Sequence, residues 1–230
     1  MLPVSVRIRP RVLKYFKIME EEKTIIVDRI DVFHLPIFTH LDAITDEQCE
    51  FLLNICKQLE YERSIATHEL STHLTREKNL MEQIPEMRPF KQYFELVVQN
   101  ISTNIMKQIC EGFSIRNSWA TRTKKGQSSS MHMHKNFYLA GVLYLQEDNE
   151  LLLENPWNPM CNFTFGVTEQ SPLTCTTSLI RPKKNSFLLM PNYIKHQIPP
   201  WEKDEDRYSI AMNFHPIGNY GITTAYMDVK

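Results

Sequence analysis

The sequence is short of the features that assign a protein class at sight. Its five cysteines, Cys49, Cys56, Cys110, Cys161 and Cys175, are odd in number and form no CxxC or CxxxC pair, which argues against a disulfide framework and for a reducing compartment. No apolar run approaches the ~18 residues that span a bilayer, and the amino terminus lacks the apolar stretch of a signal peptide. These absences predict a soluble, intracellular, cytoplasmic protein without a membrane partner. Charge of one sign is missing too: 26 basic and 27 acidic side chains leave a net charge of −1, with no large electrostatic footprint for nucleic acid. The local basic run Arg7, Arg9, Arg11 and Lys14 reads as a solvated strand and tail. Neither internal repeats nor low-complexity linkers interrupt the chain.

What is present is ordinary in bulk. With 42% hydrophobic and 23% charged residues in 230, the chain can bury a sizeable core as a single domain. Its two halves differ. Residues 1–112 read first as strands, VSVRIR and TIIVDRIDVFHLPIF, and then as helices. Asp46 is a candidate cap for a helix with Phe51, Leu52, Ile55 and Leu59 on one face. A second helix is predicted from about Met87 through Ile109, with an apolar stripe running from Phe90 to Ile109. Both read as scaffold packed on a sheet. Residues 113–215 switch to short strands, FSIRNSWAT, FYLAGVLYLQ, ELLLEN, TSLIRP, NSFLLMP, HQIPPW and DRYSIAMNF, divided by turn-forming clusters. Residues 216–230 form a tail. The class is α+β, and the strand-rich half predicts a sandwich, barrel or jelly roll.

Chemistry concentrates in that half. In SSSMHMHKNFYLAGVLYL, His132 and His134 stand at i and i+2, and in a β-strand both imidazoles would leave the same face at a sheet edge. A third histidine, His196, follows the apolar run NSFLLMP and a turn at Pro191-Asn192. In DRYSIAMNF the alternation puts Arg207, Ser209, Ala211 and Asn213 on one face, so three imidazoles can meet at one end of a barrel with the arginine deeper inside. A buried guanidinium needs an anionic partner, and its fork suits a carboxylate. The combination points to a metal chelated by a ligand that carries its own distal carboxylate. His34, His40, His68, His73 and His215 read as core or surface residues, and Trp119, Trp157 and Trp201 as core or rim aromatics.

The order His-x-His, then His196, then Arg207-x-Ser209 on short strands after a helical half resembles the iron(II)- and 2-oxoglutarate-dependent oxygenases. The text around Trp119, HMHKNFYLAGVLYL, FLLMPNYIKHQIPP and RYSIAMNF is similar to a small subfamily of 2-oxoglutarate oxygenases found in bacteria and phages. The likeness covers residues 113 to 215 well and the helical half in outline. It implies a double-stranded β-helix with supporting helices, and it carries His132 and His196 onto the two histidine ligands of Fe(II). Arg207 and Ser209 fall on the pair that grips the far carboxylate of 2-oxoglutarate, Tyr144 on an assisting tyrosine, and Asn213 shares their face.

Most members of the family carry Asp or Glu where this chain has His134, although the subfamily tends toward His-x-His. As a ligand His134 leaves the site one unit more positive; turned away, it leaves a position open. The implied activity is hydroxylation of a C–H bond in an amino-acid-like, peptide or small-metabolite substrate, consuming dioxygen and 2-oxoglutarate and releasing succinate and CO2. Two other classes fit the residues: a three-histidine, cupin-like metalloenzyme independent of 2-oxoglutarate, and a non-catalytic jelly-roll binding module.

Overall fold

The computed structural model describes residues 36–63, 73–75, 79–147, 149–156, 175–220 and 227–229, within the compact unit Pro36–Lys230. The expected strand VSVRIR, most of TIIVDRIDVFHLPIF, the basic run from Arg7 to Lys14, and His34, His68, Trp157 and Cys161 lie outside the described residues. In chain order the elements are β1 (Phe38–His40), α1 (Asp46–Gln58), β2 (Tyr61–Arg63), β3 (His73–Thr75), α2 (Leu80–Gln83), α3 (Arg88–Asn100), β4 (Gly112–Thr123), β5 (Leu139–Tyr144), β6 (Leu151–Glu154), β7 (Thr177–Ile180), β8 (Phe187–Pro191), β9 (His196–Gln197), β10 (Arg207–Tyr220) and β11 (Met227–Val229).

The strands form two antiparallel sheets. The larger runs β1-β8-β5-β10-β4-β3-β2, with β11 also paired to β10, and the smaller runs β7-β6-β9. Of the sandwich, barrel or jelly roll expected from the strand-rich half this is the jelly roll, the double-stranded β-helix that the resemblance implies. No helix among the described residues is long and apolar enough to cross a membrane.

Strand β10 lies between β4 and β5, and its two faces have different duties. Tyr208, Ile210, Met212 and Phe214 join the hydrophobic core with Leu139, Leu143, Phe187 and Leu189 of the neighbouring strands. Helices α1 and α3 close that core through Cys49, Leu52, Cys56, Phe94 and Val98, all fully buried. The alternate residues Arg207, Ser209, Ala211 and Asn213 face a cavity. On β4 the register with β10 shifts between Asn213 and Phe214, where Asn213 pairs with Asn117 and Phe214 with Ile115. The extra residue, Arg116, reverses the alternation, so that Ile115 enters the core while Asn117, Trp119 and Thr121 turn to the cavity.

Two helical expectations change. The cap of α1 is Thr45, whose hydroxyl accepts from the Gln48 N–H while Gln48 Oε1 accepts from the Thr45 N–H, a reciprocal capping box. Asp46 instead sits in the first turn and accepts from Asn185 Nδ2 at 2.9 Å. Helix α3 stops at Asn100 and passes into a π-helical turn over Ile101–Ile105. The predicted stripe therefore overran: Ile105 and Ile109 are exposed, and Lys107 takes a left-handed φ of 59° that no helix continues. At the other end, β10 continues to Tyr220 and pairs with β11, both within the segment read as a tail.

Gly141 of β5 lies where the core is tightest. A Cβ there would stand 2.5 Å from the Phe187 ring and 3.0 Å from that of Phe214. Because β5 is paired on both sides, its backbone cannot recede. Gly141→Ala is expected to destabilise the fold by about 1–3 kcal/mol, measured as a lower urea midpoint with an unchanged slope.

Candidate metal centre

Backbone pairing assembles the histidines. The His132 N–H donates to the His196 carbonyl at 3.0 Å and the His196 N–H donates back at 2.8 Å, an isolated antiparallel bridge. His134 is held separately: its N–H donates to the Asn192 carbonyl at 3.1 Å, and Asn192 Nδ2 donates to the His134 carbonyl at 3.2 Å. The strand that the His-x-His spacing predicted is therefore absent. A single bridged residue is followed by a turn in which Asn136 adopts a φ of 69°. The rings converge because each residue is clamped to the segment from Asn192 to His196, not because they share a pleat.

The three rings form one cluster. Ring centroids are 4.4 Å apart for His132 and His196, 5.0 Å for His134 and His196, and 5.3 Å for His132 and His134. Ring nitrogens from all three lie within 4.8 Å of one another. Each Nδ1 faces an oxygen acceptor: the Ser130 carbonyl at 2.8 Å from His132, Asn213 Oδ1 at 2.6 Å from His134, and the Ile194 carbonyl at 3.0 Å from His196. A carbonyl oxygen can only accept, so each Nδ1 carries a proton and Nε2 is the ring nitrogen left for a metal. A hydrogen bond from the other ring nitrogen is the usual support of a metal-binding imidazole.

Burial favours the neutral form of two of the rings. Desolvation pushes His134 down to about 4 and His196 down to about 3, with neighbouring imidazoles adding to the shift and the Asn213 and Ile194 contacts opposing it. Both rings are neutral at pH 7. Trp119 packs against His134 with centroids 5.4 Å apart.

Beneath the rings lies a cavity of about 420 Å3, lined by the three histidines together with Trp119, Tyr144, Leu151, Arg207, Ser209 and Asn213, among others. Its far end is polar and buried. Arg207 is 1% exposed, and its Nε donates to Asn149 Oδ1 at 2.7 Å. No carboxylate among the described residues reaches it within ion-pair distance, and its buried Nη1 has no partner. Tyr144 lies beside it, with the guanidinium carbon 5.7 Å from the ring centre, and the buried Tyr144 hydroxyl is also unpartnered. Burial pushes the phenol up to about 12, so the hydroxyl keeps its proton. Ser209 stands opposite Tyr144 on β5 and Thr121 on β4.

The structure thus gathers His132, His134, His196, Tyr144, Arg207, Ser209 and Asn213 around one cavity. Asn213 engages the His134 ring directly. Sequence reading passed over Asn149, Asn192 and Asn117, which carry no motif: Asn149 and Asn192 act through loops whose approach only the folded chain reveals. The histidines set aside as structural behave so where described: His40 Nε2 meets the Tyr93 hydroxyl at 3.0 Å, and His215 Nδ1 meets the Pro216 carbonyl at 2.8 Å. Trp201 is buried, with its indole N–H donating to the Glu205 carbonyl at 2.6 Å.

Fold and site define a jelly-roll protein with a candidate three-histidine metal centre. Residues 117–213 match the family model described as "Putative 2OG-Fe(II) oxygenase", a segment that contains all seven of those residues. The matched segment covers less than half of the chain. Among solved structures, HygX from Streptomyces hygroscopicus, with nickel and 2-oxoglutarate bound, is similar at 11% identity and a TM-score of 0.58, over 79% of this chain and 83% of that one. A Pseudomonas putida prolyl-4-hydroxylase gives 12% identity and a TM-score of 0.56, over 79% and 93%. The 2-oxoglutarate-dependent epimerase SnoN of nogalamycin biosynthesis gives 9% and 0.60, over 83% and 82%. No curated protein sequence matches the chain.

Two outcomes follow from this geometry. Replacing Asn213 by Ala removes the acceptor that orients His134 and is expected to weaken Mn(II) or Fe(II) binding by about 10–100-fold, read by anaerobic titration. His132→Ala and His196→Ala should abolish stoichiometric binding while unfolding stays cooperative. Acid should also act on the metal-free protein. The unfolded chain takes up protons on His134 and His196 near 6.5 and the folded chain only near 4 and 3. The unfolded state therefore binds more protons through that window, and stability falls as pH drops from about 6.5 toward 4. Thermal melts across pH 7 to 4, compared with those of His196→Gln, measure the effect: the variant's slope should be shallower.

Proposed function

We propose that the protein is an iron(II)- and 2-oxoglutarate-dependent oxygenase that hydroxylates a C–H bond of an amino-acid-like, peptide or small-metabolite substrate. One observation carries this reading: three imidazoles held by their Nδ1 protons share a cavity with a buried guanidinium that has no carboxylate. His132, His134 and His196 would hold the iron, and Arg207, Tyr144 and Ser209 would take the distal carboxylate of 2-oxoglutarate. When bound, iron and 2-oxoglutarate supply the oxidising power for dioxygen chemistry, with succinate and CO2 released.

The chain's own residues do the rest. The Ser130 and Ile194 carbonyls and the Asn213 amide hold the imidazoles by their Nδ1 protons, keeping each Nε2 directed away from its anchor. At the far end the unpartnered Arg207 Nη1 and the Tyr144 hydroxyl are donors awaiting an acceptor, and a carboxylate oxygen satisfies both. Val142, Leu151 and Ile198 on the cavity wall keep water from competing for those donors.

Three neutral ligands also favour a second reading, a three-histidine enzyme that does not use 2-oxoglutarate and in which Arg207 binds a substrate carboxylate. The outcome of turnover is open in another respect: neighbours of this fold include a prolyl-4-hydroxylase, the SnoN epimerase, the SnoK carbocyclase and HygX crystallised with hygromycin B. A mass gain of one oxygen atom in the product would mark hydroxylation.

Calorimetric titration of the Mn(II)-loaded protein without oxygen separates the readings. Wild type should bind 2-oxoglutarate, and Arg207→Ala should weaken that binding by at least ~100-fold, the loss expected when one partner of a buried charge pair is removed. Ser209→Ala should cost less, and metal binding should survive both. No binding by the wild type, or equal binding by Arg207→Ala, overturns the co-substrate assignment in favour of the second reading.

A further inference from the structure

Among the described residues, Asn149 is the only group that hydrogen-bonds the Arg207 side chain, and it is an amide where a carboxylate would be the ordinary companion of a buried guanidinium. Its side chain is fully buried. Oδ1 accepts from Arg207 Nε at 2.7 Å, and Nδ2 donates to the Gln146 carbonyl. Gln146 continues the chain of contacts: its Oε1 accepts from the Tyr208 N–H at 2.6 Å, and its Nε2 donates to the Asp206 carbonyl at 3.1 Å. The turn after β5 thereby grips the backbone on either side of Arg207 and the guanidinium itself.

Two consequences follow from the chemistry of that grip. Holding Nε fixes the plane of the guanidinium and leaves its Nη groups, of which Nη1 is buried and unpartnered, for a ligand. Using an amide to do it leaves the positive charge intact. The described acids bordering a second cavity that Arg207 also touches, Glu150 and Glu202, are not within ion-pair distance of it, and Glu150 is engaged by Arg181 at 3.0 Å. We propose that Asn149 is the positioning residue that sets co-substrate selectivity, holding Arg207 oriented and un-neutralised so that the cavity prefers a 2-oxo acid with a distal carboxylate over one without. This rests on the 2-oxoglutarate reading of the site.

The decisive variant is Asn149→Asp, which keeps the shape and the acceptor but adds one negative charge beside Nε. The probes are 2-oxoglutarate and 2-oxopentanoate, which has the same chain without the distal carboxylate, titrated into Mn(II)-loaded full-length protein without oxygen. Wild type should prefer 2-oxoglutarate by on the order of 100-fold, the scale of a buried charge-assisted pair. Asn149→Asp should lose most of that preference through weaker 2-oxoglutarate binding, while 2-oxopentanoate and Mn(II) affinities stay within about twofold. A purely structural role would lower both ligands' affinities together and leave their ratio unchanged.

Asn149→Ala provides an independent arm should the aspartate variant not fold. It removes orientation without neutralising the charge, and the preference should fall by about tenfold, as for loss of a hydrogen bond to a charged group. An unchanged ratio in whichever variant folds overturns the role of Asn149. Failure of the wild type to bind 2-oxoglutarate at all overturns instead the reading beneath it.

Discussion

The central strand must be buried on both faces, and most of the structure answers to that constraint. Every residue from Arg207 to Phe214 is inaccessible or nearly so. One face is apolar and is covered by core strands and two amphipathic helices; the other is polar and cannot be covered in the same way. A guanidinium, a hydroxyl and a carboxamide facing a closed apolar wall would each be left without partners at a cost of several kcal/mol. The cavity resolves the conflict by giving those groups a place where a polar ligand can meet them. The Arg116 irregularity extends the solution across the sheet, turning Asn117 and Trp119 toward the same space.

Electrostatics at the two ends of the cavity are complementary in kind. At the histidine end burial holds His134 and His196 unprotonated, and an amide or backbone oxygen fixes the tautomer of each. The arginine end is cationic, and its only side-chain hydrogen-bond partner among the described residues is neutral. No acidic residue is among the described residues lining the cavity. A divalent cation at the histidine end would add two positive charges to that of Arg207, and a dianion spanning both ends would offset two of the three. Asp or Glu in place of His134 would offset the third. The third imidazole leaves that task to whatever binds.

Much of this was legible in the sequence because the signals are local. Alternation in DRYSIAMNF is a property of one strand, and it placed Arg207, Ser209 and Asn213 on one face irrespective of the neighbours. The His-x-His pair was also visible, although its reason was different: the i, i+2 rule presumes a pleat, and the segment has one bridged residue and a left-handed turn at Asn136. Helix ends were read less well, since Thr45 outcompeted Asp46 for the cap only through its pairing with Gln48, and the stripe beyond Asn100 was apolar without being helical. Asn149 and Asn192 were illegible for a stronger reason. Each acts on a residue at least 58 positions away in the chain, and an isolated asparagine between strands reads as a turn former.

That division between strand and loop also separates what the site holds rigidly from what can vary. Arg207, Ser209, Asn213, Tyr144 and Trp119 stand on paired strands whose registers fix them against one another, so that part of the cavity is built to small tolerances. Ser129, Ser130, Lys135 and Phe137 also line the cavity but come from the irregular segment between β4 and β5. Loop side chains can change without disturbing a ladder. A fold so arranged can keep the groups on its strands while exchanging those on the loop. The His132–His196 bridge ties that variable segment to β9, so a change of loop chemistry need not displace the clustered imidazoles.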